Sequence, residues 1–297
     1  MRIAHLLMVH AFPEQTERLV ARLAHPNADF YIHVDAKSDI EKFARLRDME
    51  NVFFVSKRVK VWWAAWSQVE ATLNGFREIA SSGREYDFVN FLTAQDYPLK
   101  SIEEIHLFLA GNKGTAFMHA LPVETEWQEA LPRFTRYHLI EFQFRYRYKI
   151  QRFLNRILPA RRLPAGLVPM GRSAYFTIPL EHVKYVLEYM DRHPSVRRFF
   201  LFTWGPDEFI FQTILCSSPF GKQVVNDNLR YIDWSGGGAN PKVLSLEDAP
   251  VLMKSGKLFA RKFSMNNPDI LDWLDKEAGY EASESRVNAD AASQPRA

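Results

Sequence analysis

Residues 1–38 read MRIAHLLMVHAFPEQTERLVARLAHPNADFYIHVDAKS, and their pattern decides the fold class. Ile3–His10 is a short, nearly continuous apolar run of the length of a buried strand. Pro13 and an amphipathic stretch, Glu14–Leu23, follow it. Phe30–Val34 then forms a second strand that ends on Asp35. The same alternation continues outward: a short helix over Ile40–Asp48, a strand over Asn51–Ser56, and a helical stripe of Val69, Leu73, Phe76 and Ile79 within Gln68–Ile79. A fourth strand is expected over Asp87–Leu92, and Ser101 opens Ser-Ile-Glu-Glu, a capping-box start. Strands alternating with helices predict an α/β fold on a mostly parallel sheet.

The second half is less regular. Strands are expected over Thr115–His119 and Ser173–Ile178, and helices over Leu180–Asp191 and Asp207–Leu215, the last preceded by Gly205-Pro206. Ser235–Gly238 is a flexible loop. From Gly279 the composition turns to Glu, Ser, Asn, Asp and Ala, which predicts a disordered tail over 279–297. No internal repeat or linker divides the rest, so residues 1–278 are expected to form one catalytic-size domain.

Composition narrows the class further. Of 297 residues, 47% are hydrophobic and 25% charged, a globular balance. The lone cysteine, Cys216, excludes a disulfide framework and a multi-cysteine metal site. No apolar run approaches the roughly 18–20 residues of a membrane span. The N-terminus lacks a signal-peptide cleavage site and reads as the first strand, so the expected compartment is a reducing cytosol. The formal charge of +3 is uneven: Arg133–Arg162 carries nine basic residues against one acid, Glu141. That patch suits an anionic partner. A membrane surface or anionic glycan fits it, as does a solvated arginine face over aromatics; nucleic acid is the third reading.

Several residues have the right type and place for chemistry. Asp35 lies where open α/β sheets bind ligands, beyond a strand's carboxyl end, and serves there a ribose or base, or else caps the next segment. Asp96, in Gln-Asp-Tyr-Pro, occupies a similar place alone. A hard cation needs several oxygen ligands, so no metal is expected there. Asp207 and Glu208 are expected in the first turn of a helix, where carboxylates also favour the dipole. Their surround of Phe202, Trp204, Phe209 and Phe211 raises a carboxyl toward a useful general base, and aromatic faces suit sugars. Arg261 and Lys262 sit inside an apolar segment, where a strand would send them to opposite faces and one of them inward to an anion. Lys242 is a second basic candidate.

Seven segments together resemble the core-2/I-branching β-1,6-N-acetylglucosaminyltransferase family, which includes the peptide O-xylosyltransferases. They are FYIHVDAKS (30–38), VSKRVKVWWAAWSQVEATL (55–73), YDFVNFLTAQDYPLKS (86–101), GRSAYF (171–176), WGPDEFIFQT (204–213), RYIDW (230–234) and LFARKF (258–263). The resemblance implies a GT-A-like fold and metal-independent, inverting transfer from a UDP-sugar, most simply UDP-GlcNAc, to a glycan or glycolipid. It implies Glu208 as general base and Lys262, with Arg261, on the diphosphate. Lys242 stands in for a second basic residue, and His10, Asp35, Arg58 and Asp96 fall on the nucleotide side. Tyr175, Asp207 and Trp234 fall at sugar contacts. No cofactor is implied beyond the donor. A xylosyltransferase of the same family, or a non-catalytic glycan- or nucleotide-binding protein on this fold, are the alternatives. The animal members carry disulfides and a membrane anchor, and this sequence carries neither, which implies a bacterial-type cytosolic member. Residues 121–169 match nothing in the family and are expected to be an acceptor- or membrane-facing insert, docking on the inner membrane surface through Arg133–Arg162.

Overall fold

The computed structural model describes residues 1–280 apart from 165 and 239. Strand β1 (Ile3–Val9), helix α1 (Pro13–Arg22), β2 (Ala28–Val34), β3 (Val52–Phe54), α2 (Trp66–Ser81) and β4 (Phe88–Thr93) realise the expected alternation, with β1, β2, β3 and β4 all parallel. Ile40–Asp48 forms as a 3₁₀ helix, with the Asp39 side chain accepting from the Glu41 amide. Short β5 (Asp96–Pro98) and α3 (Ile102–Ala110) follow, and the capping box forms: Ser101 Oγ accepts from the Glu104 amide at 3.1 Å while the Glu104 carboxylate accepts from the Ser101 amide at 2.8 Å.

Beyond β6 (Ala116–Pro122) the chain makes α4 (Leu131–Thr135) and α5 (Arg147–Ile157), returns as β7 (Met170–Ile178), and packs α6 (Leu180–Arg192), α7 (Pro194–Leu201) and α8 (Ile210–Cys216). It closes with β8 (Val224–Asn226), β9 (Arg230–Ile232), α9 (Ala249–Lys254), β10 (Phe259–Arg261) and α10 (Pro268–Glu277). The main sheet runs β3-β2-β1-β4-β7-β6-β8, mostly parallel, with β7 antiparallel to both neighbours. A second, three-stranded sheet, β5-β10-β9, was not foreseen, because each strand is only three residues long.

Both faces of the main sheet are covered, which is why β1 reads as an apolar run rather than an alternation. Ala4 and Leu6 face the layer of α2, α6 and α8, whereas Ile3, Leu7 and Val9 face α1, α3 and α10. Helix α2 approaches so closely that a Cβ on Gly75 would lie 2.4 Å from a Leu6 methyl. Helix α10 is fastened by Asp275, which accepts from Tyr97, Arg18 and Arg22 at 2.7, 2.7 and 3.1 Å.

Two expectations need correction. The helix expected over Asp207–Leu215 is broken: Pro206–Glu208 forms a 3₁₀ turn, and Phe209 leaves helical geometry at φ −131° before α8 begins. The tail does not begin at Gly279, because Gly279 and Tyr280 cap α10 and Tyr280 lies under the Arg22 guanidinium; residues 281–297 lie outside the described residues. Residues 121–169, expected as an acceptor- or membrane-facing insert within the domain, are tied to the rest of it at two points. Arg133 reaches Glu208, and Arg161 donates to the carbonyls of Phe199 and Phe202.

Candidate active site

The carboxyl ends of β1, β2 and β4 open into a cavity of about 680 Å³. This is the crevice where open α/β sheets hold ligands. His10, Asp35 and Thr93 line it from those strand ends; Arg172, Ser173 and Tyr175 from β7; Asp207 and Glu208 from the 3₁₀ turn; Trp234, Arg261 and Lys262 from the second sheet and its loops. Residues from both ends of the chain thus line one cavity.

The acidic end is built around a close approach. Gly205, with φ +64°, turns the chain, and its amide donates to the Ala64 carbonyl at 2.8 Å. A Cβ on Gly171 would lie 2.4 Å from the Glu208 carbonyl oxygen and 2.6 Å from the Phe209 ring, so only glycine lets β7 meet this turn. Arg133 then places Nη1 2.5 Å from Glu208 Oε2. Its guanidinium lies 5.0, 4.3 and 5.7 Å from the Trp127, Trp204 and Phe209 ring centroids, an aromatic cage that holds the cation in place.

Opposing effects act on the two carboxyls. Burial pushes Glu208 up, and Arg133 pulls it partly back, leaving a net rise. Burial and the neighbouring Glu208 charge push Asp207 up to about 7, and Asp207 Oδ1 has no hydrogen-bond partner. Arg133 engages Oε2 of Glu208, and the turn that carries Glu208 lines the cavity.

The basic end lies on β10. Arg261 stacks on the Tyr175 ring at 4.4 Å, with Nε 3.6 Å from Asp96 Oδ1. Asp96 is fully buried and accepts from the Thr93 amide and hydroxyl at 2.6 Å each. Arg261 and Lys262 both line the cavity; the expected one-in, one-out arrangement fails because β10 ends at Arg261. Burial and the adjacent Arg261 charge lower the Lys262 pKa. Behind them buried Arg230 donates to Thr177 at 2.9 Å, to the Phe91 carbonyl at 2.9 Å, and to Asn90.

Of the residues expected on the nucleotide side, His10, Asp35, Arg261 and Lys262 line the cavity. Asp35 also plays its capping role, accepting from the Lys37 amide at 2.8 Å and the Val61 amide at 3.3 Å. Arg58, Asp96 and Lys242 do not line it. Arg58 is spent on the carbonyls of Val34, Asp35 and Ser38 at 2.9, 2.9 and 2.5 Å, which fixes the Asp35 turn. Asp96 is buried behind Arg261. Lys242 pairs with Asp248 at 2.6 Å. Among the expected sugar contacts, Asp207 and Trp234 face the cavity, whereas Tyr175 presents a ring face already occupied by Arg261. Arg133, Arg172, Arg230 and the exposed Trp63 are site residues that the sequence reading missed as such. Arg133 stands 75 residues from Glu208, and no local spacing links them.

The family model described as Core-2/I-Branching enzyme matches residues 3–251. The chain belongs to the Core-2/I-Branching enzyme family. Its mostly parallel main sheet is the α/β arrangement expected from the sequence. Xylosyltransferase 2 of Canis lupus familiaris is 29% identical over 298 residues, covering 92% of this chain and 33% of that protein. Xylosyltransferase 1 of Rattus norvegicus is 26% identical over 299 residues, covering 92% and 35%. The chain thus spans about a third of the length of these curated relatives. Mouse xyloside xylosyltransferase 1 in its apo form is a structural neighbour, 12% identical with a TM-score of 0.39, covering 90% of this chain and 99% of that one.

Proposed function

We propose that this Core-2/I-Branching family member transfers a sugar from a UDP-sugar to a glycan or glycolipid hydroxyl with inversion. The observation that carries the reading is the polarity of this cavity: a carboxylate, Glu208, paired with the caged Arg133 at one wall, and two adjacent cations, Arg261 and Lys262, at another. Asp35 and His10, at the ends of β2 and β1, are assigned to the nucleoside.

In this reading Glu208 takes the acceptor hydroxyl proton as the oxygen bonds to the anomeric carbon and the bond from that carbon to the diphosphate breaks. UDP departs with its charge held by Arg261 and Lys262. Fixed cations in a walled site stabilise that developing charge without reorganising at the moment of reaction. Arg261 lies over the Tyr175 ring with the buried Asp96 carboxylate behind it. Asp207, with an unpartnered oxygen, is assigned to an acceptor hydroxyl, and exposed Trp234 to a sugar face. No group of three or more His, Cys, Asp or Glu with metal-holding geometry occurs among the described residues, and metal independence is part of the proposal. So are a cytoplasmic location and peripheral contact with an anionic membrane through part of Arg133–Arg162.

The sequence pointed to GlcNAc as the transferred sugar. The names of the curated relatives favour a second reading, in which the donor is UDP-xylose. Thermal unfolding against UDP, UDP-GlcNAc, UDP-xylose, UDP-glucose and GDP, each with EDTA and with Mn²⁺, tests both. A ligand at about 100 times its Kd adds roughly 2.7 kcal/mol. Stabilisation by UDP compounds that survives EDTA is the expected result, and the largest shift ranks the donors. Stabilisation only with Mn²⁺ overturns the role of Arg261 and Lys262, and none with any nucleotide overturns the transferase.

A further inference from the structure

Helix α5 is amphipathic in the wrong direction for a helix packed on a protein core. Its polar side faces the body: Asn155 accepts from the Tyr137 amide at 2.7 Å and donates to the Tyr137 carbonyl at 2.8 Å, and Gln151 accepts from the Leu139 amide at 2.8 Å. None of its residues is buried. The apolar side points away. Tyr146, at its N-terminal cap, and Ile150, Phe153 and Ile157 recur at helical spacing on one face, and they are 55, 44, 60 and 57% exposed. Phe144 and Leu158 extend the stripe at 44 and 39% exposure.

The charges on this element are all of one sign. From residue 142 to 162 there is no Asp or Glu, and Arg145, Lys149, Arg152 and Arg156 fall along one flank of the stripe at 100° per residue. Lys149 and Arg145 also lie over the Tyr146 ring, at 5.3 and 4.9 Å. Their long stems can cover apolar surface while the charged ends reach outward. The same basic sequence stretch splits at this point: Arg133 and Arg161 turn inward, to Glu208 and to the carbonyls of Phe199 and Phe202. What α5 leaves outside is therefore a surface of its own, not overflow from the site.

We propose that α5 lies in the headgroup region of an anionic lipid bilayer, with Ile150, Phe153 and Ile157 in the acyl boundary and its Arg and Lys side chains on lipid phosphates. The occupant follows from the chemistry of the face. An apolar stripe flanked only by cations matches an interfacial helix, for which apolar burial and attraction to anionic lipid add. A second copy of this chain would set like charges against one another. The polar anchoring through Gln151 and Asn155 holds the stripe outward without any partner. This inference deepens the membrane contact put forward with the proposed function and rests on that part of it, and not on the transferase chemistry.

Sedimentation of the full chain with vesicles tests it, using phosphatidylcholine alone and phosphatidylcholine mixed with phosphatidylglycerol. The expected result is binding to the mixed vesicles that weakens as salt is raised. Ile150→Ser, Phe153→Ser and Ile157→Ser combined should abolish it. Each of Arg145→Gln, Lys149→Gln, Arg152→Gln and Arg156→Gln should weaken it about fivefold. Unfolding temperature and its rise with UDP should stay as in the parent in every variant, because these side chains touch neither core nor cavity. Failure to sediment with anionic vesicles overturns the proposal, as does sedimentation that the triple variant retains. A dimer of the parent chain that the triple variant loses, without lipid binding, would assign the face to a second copy and overturn it equally.

Discussion

Arg133 and Arg152 belong to the same basic stretch, yet they do opposite work. Arg133 is caged by Trp127, Trp204 and Phe209 and neutralised by Glu208, so it contributes to a site and little to the outer field. Arg152 sits on a helix with no buried residue and meets solvent. A window net charge cannot tell them apart. What separates them is what the aromatics beside each arginine do. Around Arg133 the rings come from 127, 204 and 209 and converge. Around α5 they come from α5 itself and its own flanks, and point out.

The strongest way to break the comparison is at the carboxylate that Arg133 serves. Glu208→Gln removes the proposed proton acceptor while keeping its shape, so turnover should fall by about 10²–10⁴ with UDP-induced stabilisation kept. Turnover unchanged in a steady-state assay would take the base from Glu208 and leave Arg133 as a structural cation.

Arg133→Gln should be the next largest effect, on the order of ten- to a hundredfold in kcat, since it removes one charged partner at a partly exposed pair. The sign of its pH effect is the sharper readout. Arg133 lowers the pKa of Glu208 against burial. Without it the carboxyl holds its proton to higher pH, so the acid limb of the kcat profile should move upward. An acid limb that stays in place would mean the pair only packs the loop.

Gly171→Ala tests whether the inward half depends on the close approach of β7. With a Cβ 2.4 Å from the Glu208 carbonyl oxygen, the 3₁₀ turn or the strand must shift. Overpacking of this kind costs about 1–3 kcal/mol. Calorimetry should show that loss together with reduced turnover, and a drop in turnover larger than Arg133→Gln causes would mean the turn itself was displaced.

How far the sequence could be read follows the same division. Strands β1, β2 and β4, helix α2 and the Ser101 cap were legible because each is specified within about ten residues, by an apolar run, a stripe or a cap. So were Asp35 and Glu208 as cavity residues, since a strand end and an apolar surround mark them locally, whereas Lys262 was singled out by the family resemblance. Tyr175 and Arg58 came from the resemblance and Asp96 and Lys242 from position as well, and neither could show that Arg261, three carbonyls and Asp248 already claimed Tyr175, Arg58 and Lys242. The β5-β10-β9 sheet and the Arg133–Glu208 pair were illegible for one reason: both join segments far apart in the chain, and short strands or single arginines carry no periodic signal.

The smallest expected effect is at the other pole of the comparison. Arg152→Gln with Arg156→Gln removes two charges from the stretch that also contains Arg133, so a view based on window charge expects a changed site. Both side chains are exposed on α5, and neither lines the cavity. Surface substitutions of this kind usually stay within about 0.5 kcal/mol. The unfolding temperature and its response to UDP should therefore match the parent within error, and turnover on a soluble acceptor should be unchanged. A measurable fall in turnover at constant stability would mean that the field of α5 reaches Glu208 after all. The separation of one basic stretch into an inward cation and an outward surface would then be a difference of degree, set by distance and screening rather than by which way each side chain points.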